Sequence, residues 1–132
     1  MRLLIASVLL ACGGAPPETT GETLQDRDRA RLRALAEQID LLAGAATCEA
    51  DSECRSVAIG AKPCGGPWTY QVYSTRAMDS EKLLERVAAH RTLNVELNRK
   101  HGWTSDCRVV SEPSVGCREG RCVLGTAERP EP

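Results

Sequence analysis

Apolar residues fall along the chain in segments of different period, and each change of period marks a change of element. Leu3 to Leu10 is an apolar run broken only by Ser7. A bilayer crossing takes about 20 residues, so this run is too short to span one. Residues 13–22 carry Gly, Pro and Thr without apolar periodicity and read as a flexible tether. From Thr23 to Ala43 the positions Leu32, Leu35, Ala36, Ile39, Leu42 and Ala43 recur at spacings of three and four, which predicts an amphipathic helix stopped by Gly44. Asp26 with Arg29 and Asp28 with Arg31 then belong to its opposite, solvated face. This helix either packs on the domain or acts as a stalk.

Further on, Arg55 to Ile59 and Trp68 to Ser74 are β-prone, with Trp68, Tyr70 and Val72 alternating onto one face. Asp79 or Ser80 caps a second, longer helix that reaches about Lys100 and stops at Gly102. Glu81 in its first turn and Lys100 and His101 at its end suit the helix dipole. Its expected inner face is Leu83, Leu84, Val87, Ala88, Arg91 and Val95, with the arginine at the margin. Cys107 to Ser111 and Arg121 to Leu124 read as two more strands, with turns at Glu112-Pro113-Ser114 and Glu119-Gly120. Residues 125–132 read as a disordered tail. The expected fold is α+β over residues 23–124: a small antiparallel sheet of three or four short strands on the long helix, plus the N-terminal helix.

Composition changes this picture in one respect. The chain of 132 residues has no Phe, two Trp and two Tyr, so a single domain of this size is short of large core side chains. Covalent staples would make up the difference. Charge is nearly balanced, with 17 basic and 18 acidic residues, and no block of one sign offers the positive field that a nucleic acid requires.

Seven cysteines divide into one and six. Cys12 closes the N-terminal apolar run, while Cys48, Cys54, Cys64, Cys107, Cys117 and Cys122 lie in the domain. An even number of cysteines behind an export-type N-terminus predicts three disulfides. The first three precede the long helix and the last three follow it, which favours bridges across the helix, such as Cys54 with Cys122 or Cys64 with Cys117. A structural zinc is the weaker alternative, because only Cys117-x4-Cys122 has the spacing of a metal knuckle.

Leu9-Leu10-Ala11-Cys12, after the charged Arg2 and the apolar run, resembles the lipobox of bacterial lipoproteins. The resemblance implies that residues 1–11 are a signal peptide and that Cys12 receives a diacylglyceryl thioether and an acylated amine. Two or three acyl chains anchor stably, where one would not. Gly13 in the next position, in place of Asp, implies sorting to the outer membrane of a Gram-negative envelope, facing the periplasm. Residues 12–22 then form the lipidated cysteine and its tether.

Two further stretches show partial resemblances. Cys48-Glu-Ala-Asp51-Ser-Glu-Cys54 resembles the opening of whey-acidic-protein modules, and Cys64-Gly65-Gly66-Pro67-Trp68-Thr69-Tyr70 resembles a stretch of Kazal inhibitors. The first lacks the adjacent cysteine pair of its family, and the second lacks the N-x-C that follows. Asp51 is otherwise explained as an Asx-type turn residue and Gly65-Gly66-Pro67 as a tight turn. The mature part as a whole is similar to uncharacterised six-cysteine lipoproteins, which implies no activity.

No catalytic, cofactor or metal signature emerges. His90 and His101 stand about 16 Å apart on a helix, too far to share one metal, and read as a surface histidine and a C-terminal cap. The division of cysteines leaves no free thiol for a Cys–His nucleophile. Ser52, Ser56, Ser74 and Ser80 lie outside any G-x-S-x-G context. The most distinctive surface candidate is the stiffened loop carrying Pro67, Trp68 and Tyr70, residue types that anchor interfaces. The expected function is a lipid-anchored, non-catalytic binding domain, in its most concrete form an inhibitor of an extracytoplasmic hydrolase. The alternatives are a structural envelope lipoprotein and an enzyme, the latter favoured by a strongly depressed carboxylate pair or a His–carboxylate contact in a deep pocket. Cys12→Ala should move the protein from the membrane to the soluble fraction; continued sedimentation with membranes would contradict the anchor.

Overall fold

A computed structural model describes residues 21–77 and 79–125. The expected signal peptide, Cys12, most of the expected tether and the residues beyond 125 lie outside the described residues. Helix α1 spans Leu24–Ala43 and helix α2 spans Ser80–His101. Between them a single 3-10 turn, Asp51–Glu53, leads into strand β1, Cys54–Ile59, which pairs antiparallel with β2, Thr69–Ser74. After α2 comes a second antiparallel hairpin, β3 at Val115–Arg118 and β4 at Arg121–Leu124.

The fold is α+β, as expected, but its strands form two separate two-stranded sheets. Cys107 to Ser111, expected as a strand, is irregular, and β3 begins at Val115 instead. The second hairpin turns through Glu119 and Gly120, both at positive φ, the backbone twist that suits a two-residue hairpin turn. Thr47 adds an isolated bridge to Arg121, so the segment before the 3-10 turn borders this second sheet.

The β1–β2 hairpin forms the middle of three layers. The odd-numbered face presents Val57, Ile59 and Tyr73 to Ile39, Leu42 and Ala43 of α1 and to Leu83 and Val87 of α2. The even-numbered face presents Cys54 and Val72 to a second cluster with Ala46, Cys48, Val115, Cys117 and Cys122. Helix α1 is therefore packed on the domain and is not a free stalk. It begins with a capping box, in which Thr23 Oγ1 accepts from the Asp26 amide and Asp26 Oδ2 accepts from the Thr23 amide, each at 3.1 Å.

On α2 the inner face differs from the expected one. Leu83 and Val87 are buried, but Leu84, Ala88 and Arg91 are exposed and Val95 is half-buried. The stripe continues instead through His90, Leu93, Asn94 and Leu97. Two polar residues sit in the buried face, so an apolar stripe drawn through Leu84, Ala88 and Val95 runs one position off.

Three disulfides join Cys48 with Cys117, Cys54 with Cys122, and Cys64 with Cys107. All three cross α2, and the Cys54–Cys122 pairing matches the expectation. Cys64 does not pair with Cys117, because that residue lies on β3 beside Cys48 while Cys64 lies on the loop against the segment following α2. The sulfurs of Cys48, Cys54 and Cys122 crowd within 4.8 Å of one another because two bridges lie side by side. Disulfides on this scale belong to an oxidising, extracytoplasmic compartment. Among the described residues, no helix is long and apolar enough to cross a membrane. Bridges closing loops of this length stabilise by about 4 kcal/mol. Replacing Cys54 and Cys122 together by Ala should therefore lower the denaturant midpoint sharply, and an unchanged midpoint would show that the bridge is dispensable.

Candidate functional site

The loop from Gly60 to Trp68 connects β1 to β2 and lies against α2. Asn94 and Asn98, one turn apart on α2, clamp its start. Asn94 Oδ1 accepts from the Ala61 amide at 2.9 Å, Asn98 Nδ2 donates to the Ala61 carbonyl at 2.9 Å, and Asn94 Nδ2 donates to Asn98 Oδ1 at 3.2 Å. Both polar groups of one loop residue are thus satisfied from the helix, which accounts for Asn94 in a buried face. The turn itself closes through Gly65 N–H to the Lys62 carbonyl at 2.9 Å and Lys62 N–H to the Gly66 carbonyl at 2.8 Å.

Trp68 crosses back over this loop. Its Nε1 donates to Asn94 Oδ1 at 3.1 Å, and the Lys62 ammonium lies 5.4 Å from the ring centroid. Gly60, at φ +73°, lies beneath the ring: a Cβ there would sit 2.7 Å from Trp68 Cδ1 and 3.0 Å from Asn94 Oδ1. The backbone conformation and the close approach both require glycine. Trp68 is thereby fixed in position yet 43% exposed. It stands immediately before β2 and reaches to α2. Tyr70 and Pro67 are half-buried.

Lys62 is only 6% exposed and needs partners for its charge. Its Nζ donates to Asp106 Oδ1 at 2.8 Å and to the Arg108 carbonyl at 2.7 Å. Together with the Cys64–Cys107 bridge, these bonds fasten the irregular segment after α2 to the loop. The hydrogen bond from Lys62, then those from Arg108, hold the Asp106 carboxyl far below the usual carboxylate range. A cleft of about 410 Å³ opens there, lined by Trp68, Arg108, Val109 and Val110 among others, with Val109 90% exposed. A second cleft, of about 330 Å³, lies on the other side of the turn, between Pro63, Gly65, Gly66 and α2.

A His–carboxylate contact is present, away from this loop. Asp28, expected on the solvated face of α1, is 5% exposed and accepts from Lys100 Nζ at 2.7 Å, His101 Nε2 at 2.9 Å and Arg31 Nη1 at 3.1 Å. The Lys100 bond, followed by those of His101 and Arg31, holds its carboxyl far below the ordinary range. The His101 ring stacks on Trp103 with centroids 5.3 Å apart, and Arg29 lies over the same indole. Neither Asp28 nor His101 lines any of the clefts described. With three donors on one carboxylate, the cluster ties the start of α1 to the end of α2. His101 is a link between helices and not a cap of its own.

His90 is buried, not on the surface as expected. It is 8% exposed, its Nδ1 has no partner among the described residues, and burial pushes its pKa down. Asp51 also departs from an Asx turn: its Oδ1 accepts from the Cys117 amide at 2.6 Å and so holds β3. Sequence pattern singles out Pro67, Trp68 and Tyr70 but not Lys62, Asn94 and Asn98, for which two asparagines four residues apart in α2 are the available signal.

No protein-family model, curated protein or solved structure matches the chain.

Three groups predict the response to acid. Asp28 and Asp106 lie below their ordinary value of 3.8, so each contributes stability that is complete above that value and lost as pH falls beneath it. His90 lies below its ordinary 6.5, so its contribution is present above 6.5 and declines as pH falls through it. Urea unfolding at a series of pH values should show the wild type losing stability relative to His90→Gln from about pH 6.5 downward. Asp28→Asn should flatten the steeper loss below about pH 4. Parallel profiles for wild type and His90→Gln would contradict the burial assigned to His90.

Proposed function

We propose that this protein is a lipid-anchored component of a bacterial cell envelope whose domain binds another protein through the loop carrying Trp68. The observation that supports this reading most is an indole held from three sides and still 43% exposed. An aromatic side chain that is already ordered loses little freedom on binding, which is the property of an interface anchor. The stapled loop, with residues 63–66 all exposed, also suits the most concrete version, an inhibitor of an extracytoplasmic hydrolase, because a substrate-like segment that cannot relax is held in its bound shape. The lipobox-like segment at residues 9–12 supports anchoring through Cys12, with the tether carrying the domain away from the outer membrane into the periplasm. The reading is of a binding protein, with no catalytic residue, cofactor or metal assigned.

Trp68→Ala separates a contact role from a packing role. It should abolish capture of a specific partner from envelope extract while lowering the melting temperature only modestly. A large drop in melting temperature with capture unchanged would return Trp68 to the core.

A further inference from the structure

The cleft beside the Trp68 loop has a charge pattern of its own. Arg91, Val95 and Arg99 lie at i, i+4 and i+8 on α2 and all line it, facing the turn formed by Pro63, Gly65 and Gly66. Arg91 and Arg99 are exposed and take part in none of the ion pairs among the described residues. Lys62, also in the lining, contributes no net charge, because Asp106 pairs with it. Apart from that paired lysine, the opposite wall carries no charged side chain. What remains is two uncompensated guanidinium groups with an apolar residue midway.

We infer that this cleft receives an extended segment of a partner protein with the pattern acidic, any, apolar, any, acidic. The inference rests on the reading of the loop as a contact surface and names the chemistry recognised next to it. Eight residues of helix separate Arg91 from Arg99 by about 12 Å along the axis. In an extended peptide, residues i, i+2 and i+4 point to one side, and the outer two are about 13 Å apart. The two spacings agree, so carboxylates at i and i+4 meet Arg91 and Arg99 while the side chain at i+2 covers Val95. Guanidinium groups bind carboxylates in a planar, two-bond geometry that favours this pairing. A lone phosphate or other compact anion offers nothing to Val95 between the two arginines. Binding of this kind is steered by charge and weakened by salt.

A display library of short random peptides, selected on the full chain in detergent micelles, tests this. Enriched peptides should carry Asp or Glu at i and i+4 with an apolar residue at i+2. A synthetic peptide of that pattern should lose affinity about fivefold for each of Arg91→Gln and Arg99→Gln, and should weaken as salt is raised. Unchanged melting temperatures would show that the variants are folded. Enriched peptides without the acidic pair, lost on Trp68→Ala but indifferent to the arginine variants, would overturn the cleft proposal and leave the loop reading standing. Acidic-pair peptides that depend on both arginines but not on Trp68 would support the cleft and count against the loop reading. No enrichment at all would overturn the proposal.

Discussion

Two disulfides lying side by side are the constraint on which the rest of the structure depends. Cys48–Cys117 and Cys54–Cys122 join the segment before α2 to the hairpin after it, at the centre of the second apolar cluster. Three of the four buried residues in that cluster are half-cystines. The first cluster is also small, with Ile39, Ala43, Leu83 and Val87 as its buried members. A chain without Phe cannot make a large core from such pieces, and the bridges supply the missing restraint on the unfolded chain.

That frame allows an unusual amount of irregular backbone to stay ordered. Neither the loop after β1 nor the segment after α2 has a ladder of its own, so their polar groups must be satisfied individually. Asn94 and Asn98 serve Ala61, Lys62 serves Arg108, and Asp51 serves Cys117. The third bridge, Cys64–Cys107, joins the two irregular segments directly. Trp68 rests on the result, with one side fastened to α2 and the rest open. At the other end of α2, Asp28 gathers Lys100, His101 and Arg31 and sets the position of α1. Rigidity around the loop and the pairing of the helices thus come from separate clusters on the same helix.

Elements set by local sequence were legible in advance. Both helices, their glycine stops, and the first hairpin follow from periodicity and turn residues, and the tight turn at Glu119-Gly120 lies where expected. What was not legible depended on partners distant in sequence. The buried face of α2 contains His90 and Asn94, polar residues that belong inside only because Gly60, Ala61 and Trp68 lie over them. Cys107 to Ser111 looked like a strand from its side chains, yet the Lys62 bonds and the bridge to Cys64 take up that segment instead. Asp28 looked solvated until two basic residues from the end of α2 surrounded it. For the candidate site, aromatic residues beside a cysteine were enough to single out Trp68, whereas the groups that hold it could be found only in three dimensions.

The central claim is that three specific bridges crossing α2 create the frame that presents Trp68. Proteolysis of the oxidised protein under non-reducing conditions, followed by mass spectrometry of the linked peptides, tests it most directly. The expected peptides join Cys48 to Cys117, Cys54 to Cys122 and Cys64 to Cys107, with no free thiol among these six. Linkage of Cys64 to Cys117, or unpaired cysteines in the folded domain, would contradict it.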